Sequence, residues 1–95
     1  MTSLVLVDFT PINKEKMEAY RAQAVETLKP FGGHFIAKGA FDILHGEAAH
    51  PAKVIIQFPD KQSAQDWYNS DAYQAIIPLR DEGMNSQFHC IELLT

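Results

Sequence analysis

The chain has 95 residues, a length expected to form one domain around a single hydrophobic core. Hydrophobic residues make up 46% and charged residues 21%, which excludes a disordered or low-complexity polymer. With 12 acidic residues against 8 basic ones the net charge is −4, so the field that gathers nucleic-acid phosphates or an anionic membrane is absent.

Residues 3 to 10 form the first predicted strand. Leu4 and Leu6 point to one face and Val5, Val7 and Phe9 to the other, because side chains alternate across a strand. Pro11, which lacks a backbone donor, closes it. Asn13 is then placed as the N-cap of a helix in which Met17, Tyr20, Ala24 and Leu28 recur at three- or four-residue intervals on one stripe. Pro30 and the Gly32-Gly33 pair end that helix.

A long second strand is predicted over residues 34 to 45. Phe35, Ala37, Phe41 and Ile43 share one parity, Ile36, Ala40 and Leu44 the other, and Gly39 marks a bulge or a close approach. Gly46 to Pro51 reads as a loop, and Lys53 to Phe58 as a third strand in which Val54, Ile56 and Phe58 alternate with Ile55 and Gln57. Asp60 caps a helix carrying Ala64, Trp67 and Tyr68. Asn69-Ser70-Asp71 interrupts it, and Ser70 or Asp71 caps a shorter helix holding Tyr73, Ile76 and Ile77. Pro78 is expected to bend or end this helix, leaving Leu79 and Arg80 on a following turn. Gly83 opens the last strand, where Phe88, Cys90, Glu92 and Leu94 face opposite Gln87, His89, Ile91 and Leu93.

The order β-α-β-β-α-β specifies a ferredoxin-like α+β fold, a four-stranded antiparallel sheet with its helices on one face, in a single domain over residues 1–95. The strands carry apolar residues on both faces, whereas the helices cover one. A second copy of the chain is therefore expected on the helix-free face, which is read as mostly apolar, giving a homodimer. Each aliphatic side chain buried there is worth roughly 1.5–3 kcal/mol. The longest apolar run, Leu4 to Val7, falls far short of the ~20 residues that span a bilayer. Met1-Thr2-Ser3 lacks a basic leader, so a cytoplasmic location is expected, without membrane or nucleic-acid partners. Cys90 is the sole cysteine and forms neither an internal disulfide nor a CxxC metal knuckle.

The tract Phe58-Pro59, Ala64, Trp67-Tyr68, Ser70, Tyr73-Gln74-Ala75 and Pro78-Leu79-Arg80 resembles the hallmark segment of the DUF1330 family of small bacterial proteins. Tyr20, Gly32-Gly33, Gly39 and Gly46 sit where that family places equivalent residues, so the resemblance spans nearly the whole chain. It implies a dimeric α+β barrel in which two ferredoxin-like subunits press their sheets together. The broader structural group it points to includes cofactor-independent monooxygenases, muconolactone isomerase-like enzymes and heme-degrading enzymes, with a cavity between helices and sheet. The family itself carries no settled activity, so no catalytic residue is transferred. Where it often has an arginine after the glycine pair, this chain has His34.

Five residues are candidate ligand contacts: Tyr20, His34, Trp67, Tyr73 and Arg80. The Arg80 guanidinium is a planar fork of donors that fits a carboxylate, unless it ties its own helix to Asp71, Asp81 or Glu82. His34 has the proton affinity of a general acid or base, or is a solvent-facing strand residue. Tyr20, Trp67, Tyr68 and Tyr73 form aromatic walls suited to a flat organic ligand, or plain core. Ser70 is a helix cap with no triad partners in sight. His45, Glu47 and His50 share a loop without an HExxH or cysteine pattern, so neither a metal nor another cofactor is expected. His89 faces either the cavity or the dimer surface. The expected function is small-molecule binding, with metal-free oxidoreductase or isomerase-like chemistry on a small organic acid or aromatic compound. A non-catalytic sensing module and a purely structural dimer are the alternatives.

Overall fold

The computed structural model describes residues 1–94. The chain runs β1 (Ser3–Pro11), α1 (Lys14–Leu28), a 3-10 turn (Lys29–Phe31), β2 (His34–Ala40), β3 (Ala52–Phe58), α2 (Lys61–Asn69), α3 (Asp71–Gly83) and β4 (Met84–Glu92). The strands form one antiparallel sheet in the order β2-β3-β1-β4, the ferredoxin-like α+β arrangement. Each helix starts on the side chain that its sequence offers. Asn13 Oδ1 accepts from the Lys16 amide at 3.0 Å, Asp60 Oδ1 from Ser63 at 2.7 Å, and Ser70 Oγ from Tyr73 at 3.3 Å.

The core lies between the sheet and the helices. Val5, Val7 and Phe9 of β1 and Ile56 and Phe58 of β3 meet Tyr20, Ala24 and Leu28 of α1, Trp67 of α2, and Tyr73 and Ile76 of α3. Phe58, Trp67 and Tyr73 are sealed from water, and burying side chains of this size supplies roughly 1.5–3 kcal/mol each. Among the described residues no helix is long and apolar enough to cross a membrane.

Four local expectations are corrected. The second strand ends at Ala40, not at residue 45, because Ala40 pairs with Ala52, the first residue of β3, and beyond it the ladder has no partner. The bulge sits between Phe35 and Ala37, not at Gly39, which instead takes a φ of +137°. It reverses the parity of the rest of the strand: Phe35 opposes the buried Ile56, whereas Ala37 opposes Ile55 on the other face. Helix α3 continues past Pro78 to Gly83, so it does not end there, and Leu79 and Arg80 are helical. Proline removes the bond to the Gln74 carbonyl, but buried Tyr73 and Ile76 before it and Gly83 after it hold both halves in register. Gly83 therefore closes α3, and the strand opens at Met84.

The helix-free face is ordered in rows. His34, Gln57, Leu4 and Ile91 lie side by side across the sheet; then Ala37, Ile55, Leu6 and His89; then Gly39, Lys53, Asp8 and Gln87. The expectation of a mostly apolar face is thus too strong. Leu4, Ile91, Ile55, Leu6 and Ala37 make a contiguous patch over the first two rows, and the third row is polar, with Lys53 Nζ 3.3 Å from Asp8 Oδ1.

Gly83 is where α3 touches the start of α1. Its carbonyl accepts from the Ile12 and Asn13 amides at 2.8 and 3.0 Å, and a Cβ there would stand 2.7 Å from the Met17 backbone nitrogen. Backbone cannot swing aside as a side chain does. Gly83→Ala is expected to destabilise the fold by about 1–3 kcal/mol, measured by urea denaturation, and an unchanged midpoint would contradict this packing.

Candidate functional site

Helices α2 and α3 deliver a cluster of aromatic rings onto β4. Trp67 lies 4.3 Å from Tyr73 between ring centroids, Tyr68 lies 5.2 Å from Tyr73, and Phe88 of β4 closes the group 5.9 Å from Tyr68. Trp67 is fixed by its indole N–H, which donates to Thr27 Oγ1 of α1 at 3.0 Å. Tyr20 of α1 reaches the cluster through its hydroxyl, 2.7 Å from that of Tyr73.

Arg80 sits in this aromatic frame with its side chain only 11% exposed. Its Cζ is 4.8 Å from the Phe88 ring centroid and about 6 Å from those of Tyr68 and Tyr73, within cation–π range. Nη1 donates to the hydroxyls of Tyr68 at 3.1 Å and Tyr73 at 3.2 Å, and Nε donates to the exposed carboxylate of Asp81 at 3.0 Å. Burial works against the guanidinium charge, but hydrogen bonds to Tyr68 and Tyr73 outweigh it and its pKa moves up. The cation is permanent.

The hydrogen-bond inventory is unbalanced. A guanidinium only donates, so both tyrosine oxygens bound to Nη1 act as acceptors. The Tyr20–Tyr73 contact uses one of two phenolic protons, whichever residue donates. Among the described residues this leaves one proton of that pair, the Tyr68 proton and both Nη2 hydrogens without a protein acceptor. Of these spare donors, those of Tyr68 and Arg80 belong to residues that line a cavity. Beside Tyr68 and Arg80 opens a cavity of about 420 Å³, with Trp67 and Phe88 in its wall and Ser86 and Cys90 along β4.

The structure thus brings Tyr20, Trp67, Tyr73 and Arg80 together and leaves His34 apart. His34 opens β2 opposite Gln57, on the helix-free face. His89, opposite Leu6, belongs to that face too, while reaching the rim of the cavity from an edge strand. Of the loop residues, His50 is buried with Nδ1 2.9 Å from Thr10 Oγ1, and the described residues hold no group of three His, Cys, Asp or Glu side chains placed to share a metal ion. Two contributors are not recognisable as site residues in the sequence, Phe88 and Thr27, and Tyr68 stands there only as an aromatic wall. Phe88 has a signal, the inward parity of the last strand. Thr27 has none, since a threonine in a helix is ordinarily bonded to its own backbone, as it also is here to the Ala24 carbonyl.

Tyr20 and Tyr73 both have pKa values raised above the ordinary 10.0, chiefly by burial, and Tyr20 further by its proximity to Tyr73. The folded state therefore keeps protons that the unfolded chain releases above about pH 10, and this contribution to stability is complete below that pH and fades as pH rises past it. Urea denaturation at intervals from about pH 8 to 11 should show stability falling at the alkaline end, less steeply in Tyr20→Phe. Equal slopes in the two proteins would contradict the buried pair.

A model for a domain of unknown function, DUF1330, matches residues 2–94. The chain has no match among curated proteins. Among solved structures it is similar to RPA0582, a protein of unknown function from Rhodopseudomonas palustris, at 15% identity and a TM-score of 0.79, covering 99% of this chain and 83% of that one. It is similar also to SnoaB, a cofactor-independent oxygenase from Streptomyces nogalater, at 10% identity and a TM-score of 0.69, covering 99% and 94%. A dimeric ferredoxin-like protein of unknown function from Jannaschia sp. CCS1 aligns at 13% identity and a TM-score of 0.65, covering 98% and 100%. At these identities the likeness is one of fold.

Proposed function

The chain belongs to the DUF1330 family, and from that premise we propose that it is a homodimeric small-molecule-binding protein whose ligand is a small organic acid or aromatic carboxylate. The observation that carries this reading is the surplus of donors around Arg80: a desolvated guanidinium and a phenol facing a cavity, with no acceptor to match them. A carboxylate supplies two acceptor oxygens and a negative charge, and a ring attached to it extends the aromatic frame of Trp67, Tyr68 and Phe88. The same enclosure that raises the cost of leaving a donor unpaired strengthens the bond once an anion arrives. Ser86, His89 and Cys90 line the β4 side of the same cavity.

Metal-free turnover is a second reading, favoured by one feature. Tyr68 and Arg80, already bonded to each other, both line the cavity and both keep protons to donate, and paired donors of this kind stabilise an oxyanion or enolate in oxidoreductase or isomerase-like chemistry. The likeness to a cofactor-independent oxygenase is compatible with that reading at the level of fold. Incubating the protein with a bound acid under air and analysing products separates turnover from binding alone.

The direct test is a thermal-shift screen of aromatic and short-chain carboxylic acids against their neutral amides. Acids should raise the Tm where amides do not, and Arg80→Gln should abolish the shift. Tyr68→Phe, which removes one spare donor and keeps the ring, should weaken binding by about three- to tenfold. Stabilisation by no acid, or equal stabilisation of Arg80→Gln, would overturn the proposal.

A further inference from the structure

A second cavity lies across the Trp67 and Phe88 rings from the first, between α1 and the sheet, with a volume of about 290 Å³. Its interior is aliphatic and aromatic, formed by residues such as Val7, Phe9, Ala24, Leu28, Val54 and Ile56. Two charged residues line it, and both are cations: Arg21 of α1 and Lys38 of β2. Among the described residues neither forms an ion pair, although the chain carries 12 carboxylates and a net charge of −4. Val25 and Phe35, each 39% exposed, stand on the same two elements beside them and leave apolar surface wet at the opening.

The position of Lys38 is a consequence of the bulge in β2. Were Ile36 paired regularly, without the bulge, Lys38 would oppose Lys53 on the helix-free face; with the bulge, Lys38 opposes Val54 and faces α1. The bulge thereby sets a cation over apolar space, where a lysine has its stem among hydrophobic neighbours and its ammonium at the water boundary. Void lined by hydrocarbon forfeits dispersion contacts, and its size is near the lower end of ligand cavities, about 300–1,000 Å³.

We propose that this cavity binds a monoanionic amphiphile, an unbranched aliphatic carboxylate of medium length, its hydrocarbon chain inside and its headgroup between Arg21 and Lys38. The site is independent of the Arg80 cavity, which has a different cation and a more polar wall. It lies on the helix side of the sheet, so pairing of the helix-free faces leaves it open.

The test is titration with decanoate below its micellar concentration, with decan-1-ol as the uncharged control, followed by amide chemical shifts and calorimetry. Decanoate should bind with shifts centred on Ala24, Val25, Phe35 and Lys38, and decan-1-ol should bind more weakly. Lys38→Gln, an exposed position that should fold normally, and Arg21→Gln should each weaken decanoate by about fivefold or more and leave decan-1-ol unchanged. Arg80→Gln should leave decanoate binding as it is, which separates this site from the one proposed above. No binding at millimolar decanoate, binding of acid and alcohol equally with no effect of either charge change, or loss of binding in Arg80→Gln would each overturn the proposal.

Discussion

A four-stranded sheet has two faces, and this chain has helices for one. Alternation along β1 sends Val5, Val7 and Phe9 beneath the helices and Leu4 and Leu6 the other way. The core and both cavities then lie on the helix side, because that is where side chains from sheet and helices converge. Leu4, Leu6, Ile55 and Ile91 form the apolar part of the opposite face, bordered by the polar row that contains the Asp8–Lys53 pair. A patch of that composition across two central strands and one edge strand suits a two-fold partner better than it suits water, since a self-complementary surface buries every residue twice.

The proposed ligand site depends on α3 staying helical through Pro78. Had the helix ended there, Arg80 would fall on a turn and Tyr73 and Arg80 would lose the seven-residue spacing that stacks them on one side of a helix. Their alignment is what brings Nη1 to the Tyr73 hydroxyl, and Tyr73 in turn ties α3 to Tyr20 of α1. The network therefore clamps the two helices, and two of its members, Tyr68 and Arg80, line the cavity. Trp67 is buried core on one side and cavity wall on the other, so lining a cavity and packing the interior are not exclusive for it.

Strand parity, helix stripes and caps are legible in the sequence because each rests on local chemistry: Asn13, Asp60 and Ser70 cap the helices that they precede. The features that escape it depend on partners distant in the chain. The length of β2 is set by where β3 begins, and Phe41 to His45 have strand-like residues with no neighbouring strand. The bulge at Ile36 reflects the register of β3, and it decides which face receives Ala37 and Lys38. His34 shows the same limit: its residue type suggests acid–base chemistry, but its pairing with Gln57 turns it away from Arg80. Pro78 departs from its local propensity because packing on either side of it outweighs the lost hydrogen bond.

Placing the proposed dimer on the helix-free face leaves the helix side open, so the proposed assembly and the proposed binding would use opposite surfaces of one domain. Sedimentation equilibrium at micromolar concentration measures this most directly. The account predicts a particle of two chains for the wild-type protein and of one chain for Leu6→Asp, which sets a charge in the centre of the apolar patch. A wild-type protein that sediments as a single chain, its helix-free face in water, would contradict it.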